Sequence, residues 1–107
     1  VKVWSVCVGE GWKSIVDEAV QQLTGAGATI TQVKEKFGGL RIYYNAPSDE
    51  IYEYCAPIVR RAALYADITC EDCGVPGKNV NVDGWYRTLC PECFKLRLKD
   101  REDWLKV

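Results

Sequence analysis

The chain contains no histidine and no methionine. Without an imidazole the usual Ser-His and Cys-His nucleophile pairs cannot form, and neither can the His-x-Glu element of zinc deaminases. Adjacent carboxylates remain, such as Asp17 with Glu18 and Asp49 with Glu50, but these read as solvated helix residues rather than an acid/base pair. An enzyme is therefore not the expected reading. Without methionine, Val1 is not expected to be the encoded start, and residues before it are expected to be missing or trimmed. Long apolar runs are missing too: nothing approaches the roughly 20 residues of a membrane span, and VKVWSVCV lacks the basic segment and long apolar core of a signal peptide. A soluble, cytoplasmic protein with no membrane partner is expected. A surplus of positive charge is also absent, since 14 Lys and Arg face 15 Asp and Glu. That argues against a globally basic nucleic-acid binder and leaves local basic patches open. Low-complexity tracts and internal repeats are likewise not found, and 48% hydrophobic with 27% charged residues is a globular composition.

What the chain does have is six cysteines, four of them in two Cys-x2-Cys pairs, CEDC and CPEC, with 16 residues between Cys73 and Cys90. Two residues between thiolates let one tight turn present both sulfurs to one ion. Two such pairs complete a tetrahedron, so Cys70, Cys73, Cys90 and Cys93 are expected to bind a structural Zn2+. Two disulfides in a secreted domain are the alternative, disfavoured by the expected compartment. A single redox pair would not explain two motifs. Four thiolates and one divalent ion would take the net charge from −1 to about −3. Gly74 follows the first pair, where a knuckle needs a positive φ. Between the pairs, Asp83-Gly84 predicts a two-residue hairpin turn. After them, Pro91 opens a helix whose positive end would carry Cys90 and Cys93. Knuckle, hairpin and ligand-bearing helix make a treble-clef-like zinc finger, with a zinc ribbon as runner-up. Cys7 and Cys55, set among apolar residues, are expected to be buried free thiols.

Upstream, Val1 to Val8 reads as a strand. Trp12, Ile15, Val16, Ala19 and Leu23 form one apolar stripe on a helix ended by Gly25. Ser48-Asp49-Glu50 starts a second helix with Ile51, Cys55, Ile58, Ala62 and Ala66 inward, expected to run on, kinked, through Pro57. Trp4, Trp12, Trp85 and Trp104 are expected to fill core. The C-terminal cations Lys95, Arg97, Lys99 and Arg101 alternate with acids on a mixed, solvated helix face. The expected fold is α+β. Residues 1–68 form a strand-helix-hairpin-helix unit and residues 69–107 the zinc module, packed together as one compact domain.

The hairpin carries KEKFGGLR. A turn at Gly38-Gly39 would put Phe37 opposite Leu40, Lys36 opposite Arg41, Glu35 opposite Ile42 and Lys34 opposite Tyr43. Val33, Glu35, Phe37, Leu40, Ile42 and Tyr44 would then share the core face, and Lys34, Lys36, Arg41 and Tyr43 the other. Like charges across a hairpin call for an anion. It would come either from an internal carboxylate, such as Asp17, Glu18, Asp49 or Glu50, or from a partner bound at Lys34, Lys36, Arg41 and Tyr43.

The ordered landmarks GW, QVKEKFGGLRIYY, CEDCGVPG and WYRTLCPEC resemble a family of small uncharacterised proteins of bacteria and their phages, over most of the chain. The resemblance implies a zinc-binding end and a phage or mobile-element origin, and supplies no catalytic residue. A non-enzymatic, zinc-stabilised interaction protein is expected, docking on a protein partner as a phage-encoded modulator or inhibitor of a host system. Nucleic-acid or nucleotide binding through the basic hairpin is the alternative.

Overall fold

The computed structural model describes the backbone of residues 5–105 and the side chains of residues 7–99. The chain runs β1 (Ser5–Cys7), a short 3-10 turn (Glu10–Trp12), α1 (Lys13–Gly25), β2 (Thr29–Lys36), β3 (Gly39–Asn45), α2 (Asp49–Asp67), β4 (Lys78–Val82), β5 (Trp85–Leu89) and α3 (Pro91–Leu105). It is an α+β fold with two small sheets. β1 pairs parallel with β2 across the α1 crossover, β2 pairs antiparallel with β3, and β4 with β5 forms a separate hairpin. The Val1–Trp4 part of the expected first strand, and the side chain of Trp104, lie outside the described residues.

Both long helices lie on one face of the three-stranded sheet because each has one apolar stripe. Trp12, Val16, Ala19 and Leu23 meet Ile30, Val33, Leu40 and Ile42 of the sheet and Cys55, Ala62 and Ala66 of α2. β2 places both Ile30 and Val33 in the core through a bulge between Ile30 and Gln32, since strict alternation would turn one of them to water. α1 includes Gly25, and the reversal falls two residues later at Gly27, where φ is +102°. Ser48 caps α2, its Oγ accepting the Ile51 N–H at 3.2 Å. α2 continues through Pro57, which sits on its exposed side, where the carbonyl freed by the missing N–H can be solvated.

A second, smaller cluster of Cys70, Leu89 and Cys90, with Val80, Val82, Cys93 and Phe94 against it, binds α3 to the β4–β5 hairpin. Three expectations fail here. Trp85 is 71% exposed: it pairs with Val82 at the turn end of that hairpin, and of the two only Val82 packs against the small cluster. Cys7 is exposed on the sheet, whereas Cys55 is buried as expected. Phe37, assigned to the core, is also 71% exposed.

Candidate metal centre and cationic sheet face

The first cysteine pair sits on a tight turn closed by two backbone bonds, Cys70 N–H to Val75 O at 2.7 Å and Gly74 N–H to Cys70 O at 2.9 Å. Gly74 adopts φ +88°, the left-handed geometry expected there. The second pair straddles the start of α3, where Cys90 acts as the cap: its Sγ accepts the Cys93 N–H at 3.4 Å. Asp72, inside the knuckle, accepts two hydrogen bonds from Arg97 of α3, at 2.7 and 2.8 Å. That bidentate clamp fixes the helix against the knuckle.

The four sulfurs lie within 4.8 Å of one another, with Cys73 and Cys90 Sγ at 3.6 Å, and all four cysteines are free. A tetrahedral ion with metal–sulfur bonds of ~2.3 Å separates its ligands by about 3.8 Å. The cluster is thus suited to a metal ion, and no disulfide joins its four cysteines. Burial pushes the Cys70 thiol up, but backbone N–H groups of Cys90, Cys73 and Asp72 outweigh it and bring Cys70 down to about 7. Burial and the neighbouring thiols push Cys93 well up, which is the repulsion a cation would relieve.

The half that carries the four cysteines is joined to the rest of the fold by backbone and side-chain hydrogen bonds. Gly11 N–H donates to Glu71 O at 2.7 Å, and Trp12 Nε1–H donates to Thr69 O at 2.8 Å. The tip of the basic hairpin docks on β4–β5: Thr88 Oγ1 donates to Gly38 O at 2.7 Å and Asn79 Nδ2 to Phe37 O at 3.3 Å. Beside this joint Arg87 lies between two carboxylates, 3.6 Å from Glu35 and 3.7 Å from Glu71. Glu71 is only 3% exposed. Burial pushes its carboxyl up, opposed by the Gly9 N–H and by Arg87. Sequence reading found none of this. Glu35 facing the core was the available clue, since a carboxylate there needs a cationic partner.

The turn of the hairpin is Phe37-Gly38, with φ +55° and +83°, rather than Gly38-Gly39. Lys36 therefore pairs with Gly39, Glu35 with Leu40, Lys34 with Arg41 and Val33 with Ile42. The expected pairs Lys36–Arg41, Glu35–Ile42 and Lys34–Tyr43 do not form. The slip is by two positions on the partner strand, so side chains keep their faces. Glu35 Oε2 accepts the Gly38 N–H at 2.6 Å and locks this register. The like-charge pair is Lys34 against Arg41.

Away from the helices, the sheet face is open to solvent at Cys7, Lys36, Arg41 and Tyr43, with Lys34 half-buried beside them. Among the described residues none of Lys34, Lys36 and Arg41 has a carboxylate within ion-pair distance; Asp17, an expected counterion, is paired with Lys13 instead. The ammonium of Lys34 lies 5.4 Å from the Tyr43 ring centroid and that of Lys36 lies 5.8 Å from the Phe37 ring. All four residues named from the sequence share one face, and the exposed ring of Phe37, in the turn, lies beside Lys36 at its end. Among the described helices none is long and apolar enough to cross a membrane. Comparison of the chain with protein-family profiles, curated proteins and solved structures finds no match.

Proposed function

We propose that the protein is a non-enzymatic binding module, stabilised by one Zn2+ held in a treble-clef-like arrangement, that receives an anionic macromolecular partner on its open sheet face. The observation that carries this reading is the cluster of Lys34, Lys36 and Arg41 on one face with no counterion among the described residues. Leaving Lys34 against Arg41 costs a few tenths to about 1 kcal/mol, which an external anion would offset. The metal cluster favours the non-enzymatic part. Four thiolates would fill a tetrahedral ion, leaving no position for a reactive water. Zinc suits a closed all-thiolate site, and its ligands would come from the knuckle and the start of α3.

A carboxylate-rich protein surface, such as a host factor bound by a phage-encoded modulator, is one form such a partner can take. The test uses full-length, metal-loaded protein titrated with heparin as a generic polyanion, alongside a Lys36→Glu/Arg41→Glu variant. Elemental analysis is expected to give about one zinc per chain for both. Heparin binding is expected for the parent and lost in the variant, with the circular dichroism unchanged. A folded, zinc-loaded variant that binds heparin as the parent does removes this face from the reading.

A further inference from the structure

We infer that the partner received on this face is single-stranded nucleic acid, with Phe37 and Tyr43 stacking on bases and Lys34, Lys36 and Arg41 holding phosphates. This rests on the proposal that the face binds an anion, and it adds what kind.

The first observation is the conformation of Phe37. Type I′ hairpin turns are built from Asn, Asp and Gly, because both central residues need positive φ. Here the first of them is a phenylalanine at φ +55°, a strained choice for a bulky side chain. Burial of the ring is not the compensation, since Phe37 is 71% exposed while Gly38 beside it is buried against Thr88, Asn79 and Arg87. The turn is thereby held rigid with the ring directed outward. A preorganised flat ring suits a stacking ligand, which loses little freedom on binding.

The second observation is the composition of the face. From Gln32 to Tyr43 its outward residues along β2 and β3 are Gln32, Lys34, Lys36, Arg41 and Tyr43, with Cys7 at the β1 side and no Leu, Ile or Val among them. A protein-docking surface has an apolar centre from which lysine is depleted. This one has Lys34 on its central strand and Lys36 at the end of that strand, each next to an aromatic ring. Cations that follow a backbone, interleaved with rings that accept any base, are the two elements of single-strand binding. A duplex keeps its bases stacked inside and would leave Phe37 and Tyr43 without a role.

The probe is fluorescein-labelled dT15, followed by anisotropy with zinc-loaded full-length protein. Three phosphate contacts to a single strand give a slope of log K against log salt of about −2, so affinity is expected to fall roughly 20-fold between 50 and 200 mM salt. Phe37→Asn suits the turn and is expected to keep the fold and to weaken dT15 binding by about 5- to 150-fold, the range for loss of one stacked base. Arg41→Gln is expected to reduce the salt slope by about 0.7. Leu64→Ala, on the exposed side of α2, is expected to leave binding unchanged. The inference is overturned by no saturable dT15 binding, by equal affinity of Phe37→Asn and parent, or by a 15-base-pair duplex that binds as tightly as dT15. Heparin binding that is lost on charge reversal, without dT15 binding, leaves the anionic-partner reading standing and points to an acidic protein. Absence of both defeats the two together.

Discussion

Residues 37 and 38 do opposite things on one turn. Gly38 resists replacement: a Cβ there would meet Asn79 Nδ2 at 2.5 Å and the Arg87 backbone at 3.2 Å, at a φ of +83°. Gly38→Ala is expected to destabilise by about 1–3 kcal/mol, read as a lower denaturant midpoint. Phe37→Asn is expected to raise the midpoint, by roughly 1 kcal/mol of relieved strain. A fall on Phe37→Asn would mean that the ring stabilises the fold, and would remove the argument that it is kept for binding. Gly11 and Gly25 make a second contrast. A Cβ on Gly11 would collide with the Cys70 carbonyl, whereas one on Gly25 meets nothing within 4 Å. Gly25→Ala is expected to stabilise by about 0.5–1 kcal/mol, and Gly11→Ala to reduce both stability and metal retention. Equal effects at the two sites would show that the packing around Gly11 is not what excludes a side chain.

Elements whose cause is local could be read from the sequence, and those whose cause is distant could not. The stripe from Trp12 to Leu23, the Ser48 cap, the continuous helix through Pro57, the Asp83-Gly84 turn and the Pro91 helix start each depend on neighbours within a few residues. The metal cluster was legible for the same reason, as two short spacings. The KEKFGGLR turn was not. Two consecutive glycines favour Gly38-Gly39, but Thr88, 50 residues away, takes the Gly38 carbonyl and Glu35 takes its N–H. Tertiary contacts therefore place the turn one residue earlier and put a phenylalanine in the left-handed position. The C-terminal helix repeats the lesson, because Arg97 belongs to a clamp on Asp72 rather than to a solvated face. Both groups of that clamp are about one-third exposed, so Arg97→Ala is expected to cost only about 0.5–1 kcal/mol overall. It is expected to speed metal loss to a chelator by freeing the knuckle. Chelator-driven release at the parent rate would show that the hairpin and Leu89 hold α3 without the clamp.

Across the whole molecule the metal cluster, the joint and the cationic face are mechanically continuous. Cys90 follows β5, whose Thr88 and Arg87 hold the tip that carries Phe37 and Lys36. On the other side the Glu71 carbonyl holds the Gly11 N–H, and Thr69 holds the indole of Trp12, which is fully buried in the main core. Among the described residues the second cluster buries only Leu89 and two cysteines, so the hairpin and α3 are expected to depend on a bound ion for order. Among the described residues the main core has twelve buried members, none of them a cysteine of the metal cluster. Removing the metal should therefore unfold the molecule from one end. Hydrogen exchange on chelated protein is expected to show lost protection first in β4, β5 and the first turn of α3. The Gly38 N–H and Trp12 indole N–H should follow, while the Val33–Ile42 ladder and α1 stay protected. Acid is expected to act in the same direction, since protons compete with the ion for the thiolates. Because the face would lose its rigid tip before it lost its charges, the chelated protein should keep part of its salt-dependent attraction for a polyanion and lose the contribution of Phe37. Simultaneous loss of protection in both halves would instead mean that the joint is as strong as the core, and that the metal stabilises the whole fold as one cooperative unit.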